Sequence, residues 1–507
     1  MVNLAAIRLG AARYNSPWTQ VVILGFVTFC SVGMFSAVSG LGAGGTQDAQ
    51  LSDTANGVLY GCFAVMGFFA GSVNNILGPR LTLSLGTTGY ALYIGSLWAF
   101  QVHGTRWFLI LAGAILGITA ALLWAAQGSI MMAYPLEKDK GRSFSVFWTL
   151  FQLGTLVGAA IALGIEANSN LPNVSTGVYL AFMIIMLTAI FTSWLLLPPH
   201  LIVRGDGTVP LLEDAISPKE EFKHLGKLFK DWRMIALFPM FFSSNYFYAY
   251  QGAITQFLFN GRTRALVSLL TGLGSIIGSI LIGVITDRLP FNRRTRALWG
   301  CAFVLLLNCV IWASGLGFQV QFSRDSTVVR GVPIAAIDPA TGEMAHTGWD
   351  WTVGVAAGPI ILMMAYYIAD AAFQGLAYYT MSAITNDPFK LARMAGYYKG
   401  VQSAGAAISF GMDAVKTPFI GEILLSWLLL LVSLPLCAWV LWYTRDTNYD
   451  VEKVTRVEDI SDGGVDGMAM PEGHIAGEHT NNTGALEKDA PQVETKTSMT
   501  KEHAPSE

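Results

Sequence analysis

The sequence predicts an all-α membrane protein of twelve transmembrane helices arranged as two pseudo-symmetric six-helix halves. Three observations lead there: an apolar composition, twelve apolar runs of spanning length, and sequence echoes relating the first part of the chain to the second. Of 507 residues, 53% are hydrophobic and only 13% charged, with 53 glycines and a mean hydropathy of +0.48. Soluble domains carry about a quarter of their residues charged, so a membrane is the expected solvent. The formal net charge of -3 gives no reason to expect nucleic acid as a partner. Cys30, Cys62, Cys301, Cys309 and Cys437 all fall inside apolar runs, with neither a disulfide framework nor zinc spacing.

A helix crosses a hydrocarbon core of about 30 Å in roughly twenty residues, because no backbone amide can go unpaired in lipid. Runs of that kind lie near residues 18–39, 54–77, 81–102, 107–133, 143–165, 176–197, 234–258, 265–286, 296–317, 353–380, 395–415 and 420–443. The first is long enough to span, so it reads as a retained helix rather than a cleaved leader. The expected organisation is a cytoplasmic N-terminus (1–17), a first six-helix half (18–197), a charged cytoplasmic linker (198–233) and a second half (234–443). An acidic tail (444–507) follows; it lacks apolar periodicity and is expected to be disordered and cytoplasmic.

Basic residues orient this arrangement, since they concentrate on the cytoplasmic side of alternate connections. With the N-terminus inside, the inner segments hold Arg8, Arg13, Arg80, Lys138, Lys140 and Arg142, the linker residues Arg204, Lys219, Lys223, Lys227, Lys230 and Arg233, and Arg288, Arg293, Arg294, Arg296, Lys390 and Arg393. The outer loops hold Arg106, Arg262, Arg264, Arg324, Arg330 and Lys416. The tripeptide "NVS" at Asn173 falls on the outer side, where it is a glycosylation acceptor sequence.

Charge inside the apolar chain repeats. "GVITDRLPFNRR" from Gly283 joins spans eight and nine, and a weaker echo, "GSVNNILGPR" from Gly71, joins spans two and three. Gly71, Asn75 and Arg80 thus correspond to Gly283, Asp287 and the Arg293, Arg294 pair. "WAAQGSI" in span four, with Gln127, matches "AAFQGLA" in span ten, with Gln374. The second offset exceeds the first by about the length that the outer loop over 318–352 adds. Duplication of a six-helix unit accounts for both.

On these residues the chain resembles the major facilitator superfamily, whose inner loops between helices two and three, and eight and nine, carry a pattern like G-x-x-x-D-R-x-G-R-R. "GVITDRLPFNRR" looks like a second-half copy with an insertion, and "GSVNNILGPR" like a first-half copy in which Asn75 replaces the acid. Within that superfamily, "VTFCSVGMFSAVSGLGAGG" of span one is similar to the mostly fungal group named for the uncoordinated-type potassium-channel regulator of nematodes. The resemblance covers about residues 14–445. It implies an inner gate of Asn75, Arg80, Arg142, Asp287 and Arg288, with Asp287 seated against the start of span five near Arg142. An acid at a helix end can accept bonds from the free amides of a neighbouring helix start; the arginines read equally as topology anchors. Two departures stand out. Trp124 occupies a place where many proton-coupled relatives carry Arg, and span five offers Gly154, Gly158 and Gly164 in "GTLVGAAIALG" rather than the antiporter glycine-proline motif.

The resemblance also implies a central cavity lined by spans one, four, seven and ten. Polar side chains at mid-depth there are candidates, because burying them in lipid without a task or partner is costly. They are Thr28 and Ser31 in span one, Gln127 in span four, Asn245, Tyr248 and Gln251 in span seven, and Tyr367, Asp370 and Gln374 in span ten. Asp370 is the acid deep within these four spans. It reads either as a substrate or proton site or as the neutralising partner of Lys399 in span eleven. Gln127 and Gln374 read also as hydrogen-bonding glue between helices.

The expectation is a multi-pass protein of the plasma membrane or an internal membrane. It moves an unidentified small-molecule or ion substrate through the lipid bilayer by alternating access, without a cofactor. The alternative is a non-transporting regulator of an ion-channel or trafficking partner. No metal spacing, phosphate loop or nucleophile with a base points to an enzyme.

Overall fold

The structure, a computed structural model, describes residues 7–9, 12–40, 49–166, 176–210, 217–337, 344–452, 454–456 and 470. Asn173 lies outside them. Helix α1 (Pro17–Thr28) opens where the Ser16 side chain accepts from Trp18 N and Pro17 presets the first turn. A π-helical widening over Phe29–Gly33 carries it into α2 (Met34–Gly40). Four long helices follow: α3 (Ala49–Leu77), α4 (Pro79–His103), α5 (Arg106–Ala133) and α6 (Lys140–Glu166). Then come α7 (Thr176–Thr192), the short α8 (Pro218–Leu228), α9 (Trp232–Ser243) and α10 (Tyr248–Leu258). The chain continues as α11 (Gly261–Arg288), α12 (Arg293–Gln319), α13 (Ala357–Ile384), α14 (Pro388–Ala414) and α15 (Phe419–Trp442).

Among the described residues, nine rods are long and apolar enough to cross a membrane. The perimeter presents large apolar side chains outward, Phe191 at 74% exposure and Leu306 and Ile361 at 66% among them. Such a surface suits hydrocarbon rather than water, and the protein is a multi-pass membrane protein. Three of the twelve expected stretches do not meet the apolar measure alone: α4, the α9 and α10 pair, and α14. The reasons are chemical. α4 is diluted by Ser, Thr and Gly, α14 carries Lys390, Arg393, Lys399 and Asp413, and the span expected over 234–258 breaks into two at residues 244–247.

Helices meet most closely where glycines remove the side chain. A Cβ on Gly67 of α3 would come within 2.5 Å of Gly400 Cα on α14, and one on Gly396 would come within 2.8 Å of Gly67 O. On the other side, α11 packs along α6, with Gly283 against Ser145 and Gly141. These two seams close one end of the bundle.

The structure corrects the expected disorder of the whole tail. Residues 444–452 fold back onto that same end: Asn448 Nδ2 donates to Ala383 O at 3.2 Å, and Glu452 accepts from Asn386 N at 2.8 Å. Beyond them Thr455–Arg456 pairs antiparallel with Thr208–Val209 of the linker. The polar partners available at the bundle's end outweigh the apolar periodicity that the segment lacks.

Candidate functional site

A cavity of about 280 Å³ lies between the helices. Its wall includes Ser39 of α2, Asp53 and Asn56 of α3, Gln256 of α10, Ser268 of α11 and Asp413 of α14. All of these stand at the helix ends remote from the glycine seams. Ser39 and Gly252 are exposed while Asp53, Asn56 and Gln256 are half-buried, so the cavity reaches the surface there. Trp124, Trp148, Gln374, Lys399 and Gln402 line its buried depth.

The break between α9 and α10 shapes this depth. A continuous helix would turn Ser244 and Asn245 into their own backbone ladder; the turn over residues 244–247 presents both to α14 instead. Gln402 Nε2 donates to Ser244 Oγ at 2.8 Å and Asn245 Oδ1 at 2.9 Å, and Ser244 Oγ pairs with Tyr398 OH at 2.8 Å. Irregular backbone at membrane depth is tolerated where it is buried in protein or lines a cavity.

From there a polar chain runs to Asp370. Lys399 Nζ donates to Gln402 Oε1 at 2.8 Å and Gln374 Oε1 at 3.3 Å; Gln374 Nε2 donates to Asp370 Oδ1 at 3.0 Å, and Tyr248 OH to Asp370 Oδ2 at 2.8 Å. Lys399 Nζ also stands 4.2 Å from the Trp124 ring centroid and 4.8 Å from that of Tyr398. Two amide oxygens and aromatic faces thus solvate a buried ammonium. Gln374 stands between Lys399 and Asp370, so the two charges communicate through an amide.

Of the residues expected in the cavity, Asn245, Tyr248, Gln251, Tyr367 and Gln374 line it. Asp370 is one layer behind the wall, covered by Tyr248 and Gln374. Gln127 also stands off the wall and accepts from Tyr378 OH at 3.0 Å, joining α5 to α13. Thr28 and Ser31 do not reach the cavity: their hydroxyls bond back to Gly25 O at 3.0 Å and Val27 O at 2.7 Å. A hydroxyl in an apolar helix finds its nearest acceptor one turn back. Gln402, Asp53, Asn56, Gln152 and Trp148 were not among the expected residues. Asp53 directly precedes span two and the others lie in spans two, five and eleven, which an assignment restricted to four spans leaves out.

At the closed end, the Asp287 carboxylate spans the α6/α11 seam, accepting from Gly141 N at 3.0 Å and Arg142 N at 2.5 Å. Asn75 spans the α3/α14 seam, its Nδ2 donating to Phe389 O at 3.0 Å and Glu221 Oε1 at 2.8 Å. Arg142 reaches the latch through its backbone, while its guanidinium lies 4.7 Å from the Trp18 ring centroid. Arg80 crosses neither seam and donates instead to Leu196 O at 2.7 Å. Arg288 is exposed and takes no part in the latch among the described residues. Glu137 and Glu221, absent from the expected gate, complete it: Glu137 pairs with Arg293 at 3.1 Å and Glu221 with Arg393 at 2.9 Å. The signal for Glu221 was present in "SPKEEFKHLGKL". Ser217 followed by Glu220 is a capping box, and Glu221, Leu225 and Leu228 share a helix face.

Residues 52–316 match the family described as "Ion channel regulatory protein UNC-93". The matched stretch includes Asn75, Glu221 and Asp287 and ends before Asp370 and Lys399. An UNC93-like protein of Schizosaccharomyces pombe is 38% identical over 439 residues, covering 86% of this chain and 84% of the relative. The chain belongs to the UNC93-like family. UNC93-like protein 1 of Arabidopsis thaliana is 36% identical over 441 residues, 86% of this chain and 93% of the relative. Among solved structures, the major facilitator superfamily transporter FucP in the outward conformation superposes with a TM-score of 0.57 at 12% identity, over 84% of this chain and 99% of that one. This UNC93-like chain therefore has the fold of that superfamily.

Proposed function

We propose that the protein is a transporter that moves a small polar solute by alternating access. Its twelve rods form two six-helix halves, and the state described here is open to the side opposite the basic, cytoplasmic end. One observation carries this reading: a solvent-reaching cavity whose depth holds the Lys399, Gln374 and Gln402 network, closed at the other end by two latched seams. Interruptions fall in the first rod of each half, at Phe29–Gly33 and at residues 244–247. Paired interruptions of this kind mark the binding region in transporters built from repeats. Rocking the halves about the cavity would part the latches and close the mouth.

The rival reading is a non-transporting membrane regulator of an ion-channel partner, and the description of the matching family favours it. Purified protein in liposomes, screened with labelled solutes of differing charge, separates the two. Uptake is expected, and Asp370→Asn and Asn245→Ala should reduce it about ten-fold or more, because each removes hydrogen bonding from the buried network. Absence of uptake across the panel, with a channel subunit co-purifying, would establish the regulator instead.

A further inference from the structure

We infer that Glu221 of the linker helix is a gate residue, supplying from outside the bundle the carboxylate that α3 lacks at Asn75. The inference rests on the transport reading for its purpose, but its geometry stands alone. The two seams are equivalent by repeat, with Gly71 matching Gly283 and Asn75 matching Asp287. On the α6/α11 seam the acid belongs to the helix itself and takes two backbone amides of α6. On the α3/α14 seam the side chain is an uncharged amide, and the negative charge comes from α8.

That charge is fully enclosed. Glu221 is 0% exposed and Arg393 5%. Arg393 Nη1 donates to both Glu221 oxygens, at 3.1 and 2.9 Å, while Asn75 donates to Oε1. Asn75 on α3, Glu221 on α8 and Arg393 on α14 therefore form one unit across the seam. α8 is built to be placed there: Ser217 caps its start, accepting from Glu220 N, and Glu221, Leu225 and Leu228 face the bundle. The Phe229 ring that follows touches both sides of the seam, with centroids 5.6 Å from Phe68 of α3 and 5.4 Å from Tyr397 of α14.

The consequence is a coupling. If α8 leaves, Arg393 keeps a buried charge with no anion, and a buried charge without its partner is strongly unfavourable. Parting α3 from α14 relieves this by admitting water. Undocking of the linker helix and opening of this seam therefore favour one another, whereas the Asp287 seam contains its own acid. Linker position becomes a control on which side the cavity faces.

The test uses the full chain in nanodiscs, its five cysteines replaced, with spin labels at Leu77→Cys and Arg445→Cys. Both positions are exposed, near the closed end of α3 and just beyond α15. Pulsed electron paramagnetic resonance should give a short distance for the parent, and Glu221→Gln should raise the longer-distance population about ten-fold or more. Glu221→Asp should retain the short distance, as should Glu220→Gln on the exposed face. Asn75→Leu leaves the ion pair in place and should open the seam less; it reads the same seam if Glu221→Gln is not recovered folded. An unchanged distribution in Glu221→Gln, whatever its melting temperature, overturns the inference, as does an unchanged distribution in Asn75→Leu should that variant alone be recovered. A seam that opens in a protein that moves no solute refutes transport and leaves the gate standing. Solute uptake with an unresponsive seam does the reverse.

Discussion

The α6/α11 and α3/α14 seams close the same end of the molecule with different chemistry. In the first, Asp287 reaches across and accepts from two free amides at the start of α6, so the latch is complete within two helices. In the second, Asn75 bonds Phe389 O, and a third helix brings Glu221 to Arg393. The second seam has an amide at Asn75 where the first has an acid at Asp287, yet it is not without charge, because the linker helix supplies one. The comparison teaches that two helix seams can be bridged by a carboxylate in different ways, one from a helix of the seam itself and one from a segment docked across it.

The largest expected effect breaks the second seam. Arg393→Met leaves Glu221 buried without its cation and should cost about 3–5 kcal/mol, whereas Arg393→Met combined with Glu221→Leu should recover most of that loss, because removing both charges removes the uncompensated one. Thermal unfolding in detergent reads this. If the double variant is no more stable than the single one, the ion pair is not the element that holds the seam. The first seam should respond less: Asp287→Asn weakens charge-assisted bonds to two backbone amides, for a cost of about 1.5–3 kcal/mol in the same measurement. A larger loss there than in Arg393→Met would reverse the ranking of the two seams.

How much of this was legible follows from which residues make local interactions. The apolar runs are local features and located most of the helices, whereas the position of Asp287 against the start of α6 was implied by the family resemblance of the motif that carries it. The break at residues 244–247 was hidden, because "SSNYFYAY" is compatible with a continuous helix and only the pairing of Ser244 and Asn245 with α14 rewards the turn. Thr28 and Ser31 read as polar cavity residues because composition does not reveal a hydroxyl bonded back to its own helix. Asp370 stood out as a buried acid, yet its place behind Gln374 depends on where α14 puts Lys399. Glu221 falls in a segment that reads only as a charged linker. Its burial arises from docking across α3 and α14, a long-range relation that periodicity inside "SPKEEFKHLGKL" foreshadows without naming the surface.

The smallest and sharpest prediction concerns the matched glycines. A Cβ at Gly71 would overlap the Ala392 carbonyl oxygen and come within 2.7 Å of Arg393 Cα, and these are backbone atoms that cannot turn aside. At Gly283 the nearest obstruction is the Ser145 hydroxyl, which can rotate, though rotation gives up its 2.6 Å bond to Ser279 O, and the backbone oxygen of Gly141 stands behind it at 2.9 Å. Gly71→Ala should therefore cost about 1–3 kcal/mol through overpacking, and Gly283→Ala about 1 kcal/mol, near the worth of one neutral hydrogen bond. Part of the second cost has a side-chain cause and so a side-chain remedy. Ser145→Ala removes the nearest obstruction and leaves the Gly141 carbonyl contact, so adding Gly283→Ala to Ser145→Ala should cost less than Gly283→Ala costs in the parent. No single truncation should rescue Gly71→Ala in that way. Equal costs at both glycines, or a failure of Ser145→Ala to relieve Gly283→Ala, would mean that both seams are limited by backbone contact and that their difference lies in the latches alone.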